Sequence, residues 1–168
     1  MQQTIFLLRV LVTFIITIIA TVQDLKSYKI KNELIIGAFV AGGMCTVLNL
    51  LNGGDVKDYI FGMVAVFLIT FILFLIRGIG AGDAKLLTVI GFIIGYKMTI
   101  KIILVSLILG LLIGVASIVF KQHFNIKKGV LSIYGDGVSQ KMVNYHIFHF
   151  SPAILIAQAI IFTTSFIK

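Results

Sequence analysis

Six runs of apolar residues, separated by charged or glycine-rich links, constrain this chain more than any motif in it. They cover residues 5–22, 34–51, 59–76, 86–95, 100–120 and 150–167. A helix needs about 20 mainly apolar residues to cross the hydrocarbon core of a bilayer, and all but the fourth run come close to that. Of the 168 residues, 60% are hydrophobic and 12% charged, with a mean hydropathy of +1.14. A soluble domain carries about twice that share of charge and needs a polar exterior. The expected fold class is therefore all-α: a polytopic membrane protein, one bundle of six transmembrane helices over residues 1–168. The first run is long for the core of a secretion signal and lacks a small-x-small cleavage site at its end, so it is read as a membrane helix. The fourth run, 86–95, follows a glycine-rich break. It reaches across only if Lys85 and Tyr96 sit at the interfaces or the helix is recessed inside the bundle.

Charge gives an orientation. Fourteen Lys and Arg face six acidic residues, a formal net charge of +8. The links after runs one, three and five hold nine of the basic residues: Lys26, Lys29, Lys31, Arg77, Lys85, Lys121, Lys127, Lys128 and Lys141. The links after runs two and four hold Lys57, Lys97 and Lys101, while Arg9 and Lys168 lie near the termini. The positive-inside rule places the first group in the cytoplasm and both termini outside. The basic residues read as orientation signals and contacts to anionic headgroups. No basic stripe interleaves with exposed aromatics, so nucleic acid is not an expected partner.

The acidic residues are few enough to consider one by one. Asp55 and Asp58 sit in an outward turn, Asp136 lies between glycines as turn aspartates do, and Glu33 suits the positive end of a helix dipole. Asp24 and Asp83 differ. Asp24 ends the first run without a break, and Asp83 opens the fourth inside Gly80-Ala81-Gly82-Asp83-Ala84-Lys85. Both fall on the same predicted face, so a bundle is able to bring them together. An ionisable group at membrane depth is costly and marks a candidate functional site. Two carboxylates in contact share a proton, which makes one a general base and the other a general acid. Such a pair activates a water and protonates a leaving nitrogen, and so cuts a peptide bond without a metal or a nucleophilic side chain. Gly80 and Gly82 are expected to resist helix, to admit unusual backbone angles, and to let an unwound substrate strand approach Asp83.

These residues carry a resemblance. Asp24-Leu25-Lys26-Ser27-Tyr28-Lys29-Ile30-Lys31-Asn32-Glu33-Leu34 resembles the first aspartate motif of prepilin peptidases, and Gly80-Ala81-Gly82-Asp83-Ala84-Lys85-Leu86 resembles the second, Gly-x-Gly-Asp-x-Lys-Leu. Phe150-Ser151-Pro152 is similar to a short Phe-x-Pro element near the family's C-terminus. The resemblance implies a membrane aspartic endopeptidase that removes the leader from type IV prepilin or pseudopilin precursors at the cytoplasmic face. It implies Asp24 and Asp83 as the catalytic pair, Gly80 and Gly82 as the active-site loop, Lys85 as the motif lysine, and no cofactor. Two departures stand out: Lys31 occupies the place of a usual Pro, and Lys29 that of a common Arg. With Pro lost, Asn32 and Glu33 are expected to hold the entry into the second helix as cap residues. Larger relatives carry a CxxC-bearing domain linked to N-methylation. This chain has one cysteine, Cys45, read as a small buried residue, so the short, peptidase-only form is expected.

Other features fit blander roles. His146 and His149 have the i, i+3 spacing of a metal pair, without a Cys or acidic partner nearby in sequence, so no metal is expected. Gly110 and Gly114 have a small-xxx-small spacing that serves helix contact within the bundle or between copies, as in a homo-oligomer. The rival reading is a small ion-coupled transporter using the two aspartates, which requires carboxylates near the midplane and an inverted repeat. A third reading is a non-catalytic membrane subunit of a secretion machine.

Overall fold

The computed structural model describes residues 2–27, 29–119 and 150–166. His146, His149, Asp136 and the lysines of the link 121–149 lie outside the described residues. The chain forms six helices: α1 (Gln2–Ser27), α2 (Asn32–Leu51), α3 (Lys57–Leu75), α4 (Ala81–Ile94), α5 (Tyr96–Val119) and α6 (Ser151–Phe166). No strand occurs among the described residues. The all-helical membrane bundle read from the apolar runs is the fold observed. Four helices, α1, α2, α3 and α5, are long and apolar enough to cross a bilayer. Many of their large apolar side chains, among them Leu11, Met44, Phe67 and Leu111, point outward, as they must where the solvent is lipid.

The short α4 forms the centre of the bundle. It packs most extensively on α3 and also touches α1, α2 and α5. Residues 86–91 are all buried, as are Ile93 and Ile94. With 14 residues, α4 spans about 21 Å, short of the roughly 30 Å hydrocarbon core. The chain turns at Gly95, whose φ of 94° suits glycine, and re-enters as α5. Of the two options for a short fourth run, the recessed helix is the one adopted.

A helix that stops inside a bundle leaves carbonyls without partners. Arg9 of α1 supplies them. Its side chain is 1% exposed. Nη1 donates to the Ile93 carbonyl at 2.9 Å and Nη2 to the Cys45 carbonyl at 2.8 Å. The guanidinium lies 3.7 Å from the centre of the Tyr59 ring, a cation–π contact. One cation thereby joins α1, α2, α3 and α4. In the sequence Arg9 reads as a charge near the terminus, whereas the fold buries it.

Two further contacts fix the helices. On α1, Thr13, Thr17 and Thr21 each donate to the carbonyl four residues back. This polar stripe faces α6: Thr17 donates to Gln158 Oε1 at 2.7 Å, Gln158 Nε2 donates to Thr13 Oγ1 at 2.9 Å, and Thr21 reaches the Ser151 carbonyl at 3.4 Å. Between α3 and α4, Gly62 and Gly91 bring the backbones together. A Cβ on Gly62 would lie 2.5 Å from the Gly91 carbonyl oxygen. Because the obstacle is backbone, Gly62→Ala is expected to destabilise the protein by about 1–3 kcal/mol through overpacking. Gly37, where an added methyl group would meet nothing within 4 Å, provides the control: Gly37→Ala is expected to match or exceed the parent, since alanine favours helix. Thermal unfolding in detergent micelles separates the two outcomes. Equal unfolding temperatures for both variants would remove the glycine contact as a determinant of the fold.

Candidate active site

At the end of the bundle opposite Arg9, the end of α1, the starts of α2, α4 and α6, and the turn after α3 surround a cavity of about 740 Å³. Its lining includes all six residues singled out from the sequence: Asp24, Asn32, Gly80, Gly82, Asp83 and Lys85. The two aspartates are 59 positions apart in the chain, and the helices bring them to one cleft.

Asp24 occupies the last turn of α1 and is half-buried. Its Oδ2 accepts a hydrogen bond from the Ser151 hydroxyl at the first position of α6. Ser151 is fully buried. In the sequence Phe150-Ser151-Pro152 stands out only as a resemblance, and nothing local to Asp24 points to a partner 127 positions away.

Asp83 is the third residue of α4, ahead of its buried apolar stretch and outside the four long spans. Gly80, at the N-cap, is extended, with φ −74° and ψ 152°. Its N–H donates to the Asp83 carboxylate. This is one half of a capping box, in which an acidic side chain three residues into a helix reaches back to the cap. Asp83 Oδ1 is buried without a hydrogen-bond partner among the described residues. Burial, and then the negative charge of Asp24, push the Asp83 carboxyl from 3.8 up to about 7, with the Gly80 N–H acting in the opposite direction.

The expectation about the glycines is corrected in its reason. Neither Gly80 nor Gly82 has a positive φ, and Gly82 is helical. What they provide is close approach. A Cβ on Gly80 would stand 3.0 Å from Asp83 Oδ2, and one on Gly82 would stand 3.3 Å from the Ile30 side chain. The break is also shorter than the sequence implies, because α4 begins at Ala81 rather than Leu86.

The expected cap is likewise corrected. Lys31, not Asn32, is the N-cap of α2, and it makes no side-chain cap bond. Its φ of −68° is the value proline imposes, so the chain keeps the geometry of the missing Pro. The free N–H of Lys31 is taken up by Gln23 Oε1 at 3.1 Å. Asn32 Oδ1 instead accepts from Lys85 Nζ at 3.1 Å, which ties the start of α2 to the start of α4. Glu33 sits in the first turn of α2, as expected of a carboxylate at a helix N-terminus.

The remaining lining is basic and apolar. Lys29 and Arg77 join Lys85 around the two acids, and Phe74, Ile30, Ile79 and Phe150 supply apolar walls. Arg77 has φ 60° at the left-handed position of a helix-ending motif, with Gly78 N–H donating to the Leu73 carbonyl at 2.8 Å. Glycine is the usual residue there. Among the described residues, no three His, Cys, Asp or Glu side chains gather to hold a metal ion.

A buried carboxyl titrating near 7 beside a second carboxylate is the arrangement that supports paired acid and base chemistry. Comparison with known proteins places this cleft in a family. No curated protein and no solved structure matches the chain. The model of the type IV leader peptidase family matches residues 11–115, a stretch that includes α2, α3 and α4 entire and both aspartates. That match covers well over half of the sequence, and the chain accordingly belongs to the type IV leader peptidase family.

Proposed function

We propose that this membrane protein is an aspartic endopeptidase that removes the leader from type IV pilin-like precursors, with Asp24 and Asp83 as its catalytic pair. The observation that carries the proposal is the meeting of these two acids in one cleft, within a family of peptidases. A water held between them loses a proton to one carboxylate as it attacks the scissile carbonyl. The other carboxyl gives its proton to the departing nitrogen. Gly80 and Gly82 keep the cleft floor free of side chains, so an unwound substrate strand approaches the backbone beside Asp83. Asn32 and Lys85 hold the two motifs at a fixed spacing. The cleft lies on the face bearing the lysine-rich links, which the positive-inside rule makes cytoplasmic, in the cell's inner membrane. The transporter reading draws no support from carboxylates at one end of the bundle rather than near its midplane.

The test is reconstitution in liposomes with a synthetic precursor peptide bearing a basic leader and an apolar segment, with products identified by mass spectrometry. A single cut at the leader junction is expected. The rate also carries a pH signature. The acid partner must hold its proton, and Asp83 titrates at about 7. Cleavage is therefore expected to fall above about pH 7, approaching tenfold per pH unit. Initial rates from pH 5 to 9 check this, and a rate that climbs steadily to pH 9 would contradict the paired-acid mechanism.

A further inference from the structure

The cleft treats its two carboxyl groups differently, and the difference resides in α6. One oxygen of Asp24 is occupied by the Ser151 hydroxyl. Among the described residues, no side-chain hydroxyl donates to Asp83. Its carboxylate takes a backbone hydrogen bond from the Gly80 N–H, but its Oδ1 is buried with no partner among the described residues. A hydroxyl that donates to a carboxylate oxygen needs a lone pair there, so the Ser151 bond keeps Asp24 as the hydrogen-bond acceptor of the pair. A buried oxygen with no donor nearby is best placed to carry a hydrogen itself.

Building on the peptidase reading above, we infer that Ser151 is a positioning residue that makes Asp24 the general base and leaves Asp83 as the general acid. In the step, a water O–H bond breaks and its proton goes to the free oxygen of Asp24. The water oxygen bonds to the scissile carbonyl carbon. The proton on Asp83 passes to the peptide nitrogen, the C–N bond breaks, and the amine leaves. Asp24 then returns its proton to Asp83, which restores the starting pair with one water consumed. Ser151 stays in place because its carbonyl receives Thr21 and its side chain is fully buried at the start of α6.

Ser151→Ala removes the donor without adding bulk. It is expected to lower kcat roughly tenfold, the effect of losing a hydrogen bond to a charged group, with KM within about twofold of the parent. Ser151→Thr, which keeps the hydroxyl, is expected to retain most of the parent kcat. Ser151→Cys, a weaker donor of similar size, is expected to fall between them. A merely structural serine predicts a loss that follows unfolding temperature rather than donor strength. A parent-like kcat in Ser151→Ala, or equal losses in the Ala and Thr variants, would overturn the inference. If the Ala variant does not accumulate, the Cys variant decides: a reduced kcat at unchanged KM supports the assignment, and a parent-like kcat overturns it. Full activity in Ser151→Ala together with inactive Asp24→Asn removes this role alone, whereas cleavage that survives Asp24→Asn removes the peptidase mechanism itself.

Discussion

Asp83→Asn is expected to reduce leader cleavage by about three orders of magnitude, within the range that general acid–base groups contribute, while making the folded protein more stable. Asparagine keeps the size of the side chain and an oxygen to accept the Gly80 N–H, but it has no acidic proton to give to a leaving nitrogen. The stability gain follows from linkage. Burial and the neighbouring Asp24 raise the folded-state pKa of Asp83 from 3.8 to about 7. A group whose folded-state pKa is raised withdraws stability as pH climbs from the unfolded value through the folded one. The neutral amide escapes that penalty. The gain in unfolding temperature should therefore open above pH 3.8 and level off beyond about 7. Single-turnover cleavage in liposomes and thermal unfolding across pH measure the two effects on one sample. Asp24→Asn should be equally inactive. Cleavage by Asp83→Asn at more than a tenth of the parent rate would show that the acid resides elsewhere.

The second large effect lies at the other end of the bundle. Arg9→Ala is expected to prevent accumulation of folded protein. It strips the donor from the Ile93 carbonyl at the end of α4, at about 1–3 kcal/mol for an unsatisfied buried group, removes the tie to the Cys45 carbonyl in the interior of α2, and leaves a cavity whose cost is about 2–5 kcal/mol by analogy with other large-to-Ala changes. Arg9→Met restores much of the volume but no donors, so it should recover only part of the loss. Arg9→Lys keeps the charge, yet a single ammonium cannot reproduce the planar fork that serves two helices and stacks on Tyr59. The yield of monodisperse protein in detergent should follow the order Arg, Lys, Met, Ala. An Arg9→Ala protein with parent-like yield and unfolding temperature would refute the role assigned to this residue.

Much of this architecture is visible in the sequence because lipid imposes a length rule on apolar runs, and α1, α2, α3 and α5 obey it. Of the two shorter helices, α4 starts earlier than its apolar run implies. Asp83 and Lys85 interrupt the apolar pattern, yet the helix is already formed around them, with Asp83 reaching back to Gly80. The pair Asp24 and Asp83 stands out because acidic residues are scarce and both sit beside apolar runs. Their partners do not stand out. Arg9 bonds to backbone carbonyls, which leave no trace in residue types. Asn32 looks like a cap because its position fits one, and only the folded chain shows that Lys85, 53 positions away, claims its oxygen. Gln23 looks like an ordinary polar residue until Lys31 proves to have a proline-like φ with an N–H to satisfy. Contacts that close over long stretches of chain depend on helix packing, which hydropathy does not encode.

The threonine stripe on α1 has a consequence for biosynthesis. Thr13 and Thr17 find a partner in the Gln158 side chain, Thr21 in the Ser151 carbonyl and Asp24 in the Ser151 hydroxyl, all on a helix translated more than a hundred residues later. Until α6 is made, these hydroxyls therefore have only the carbonyls of their own helix to turn to. A chain halted before α6 lacks the hydroxyl that bonds Asp24. The cleft is therefore complete only once α6 has been translated.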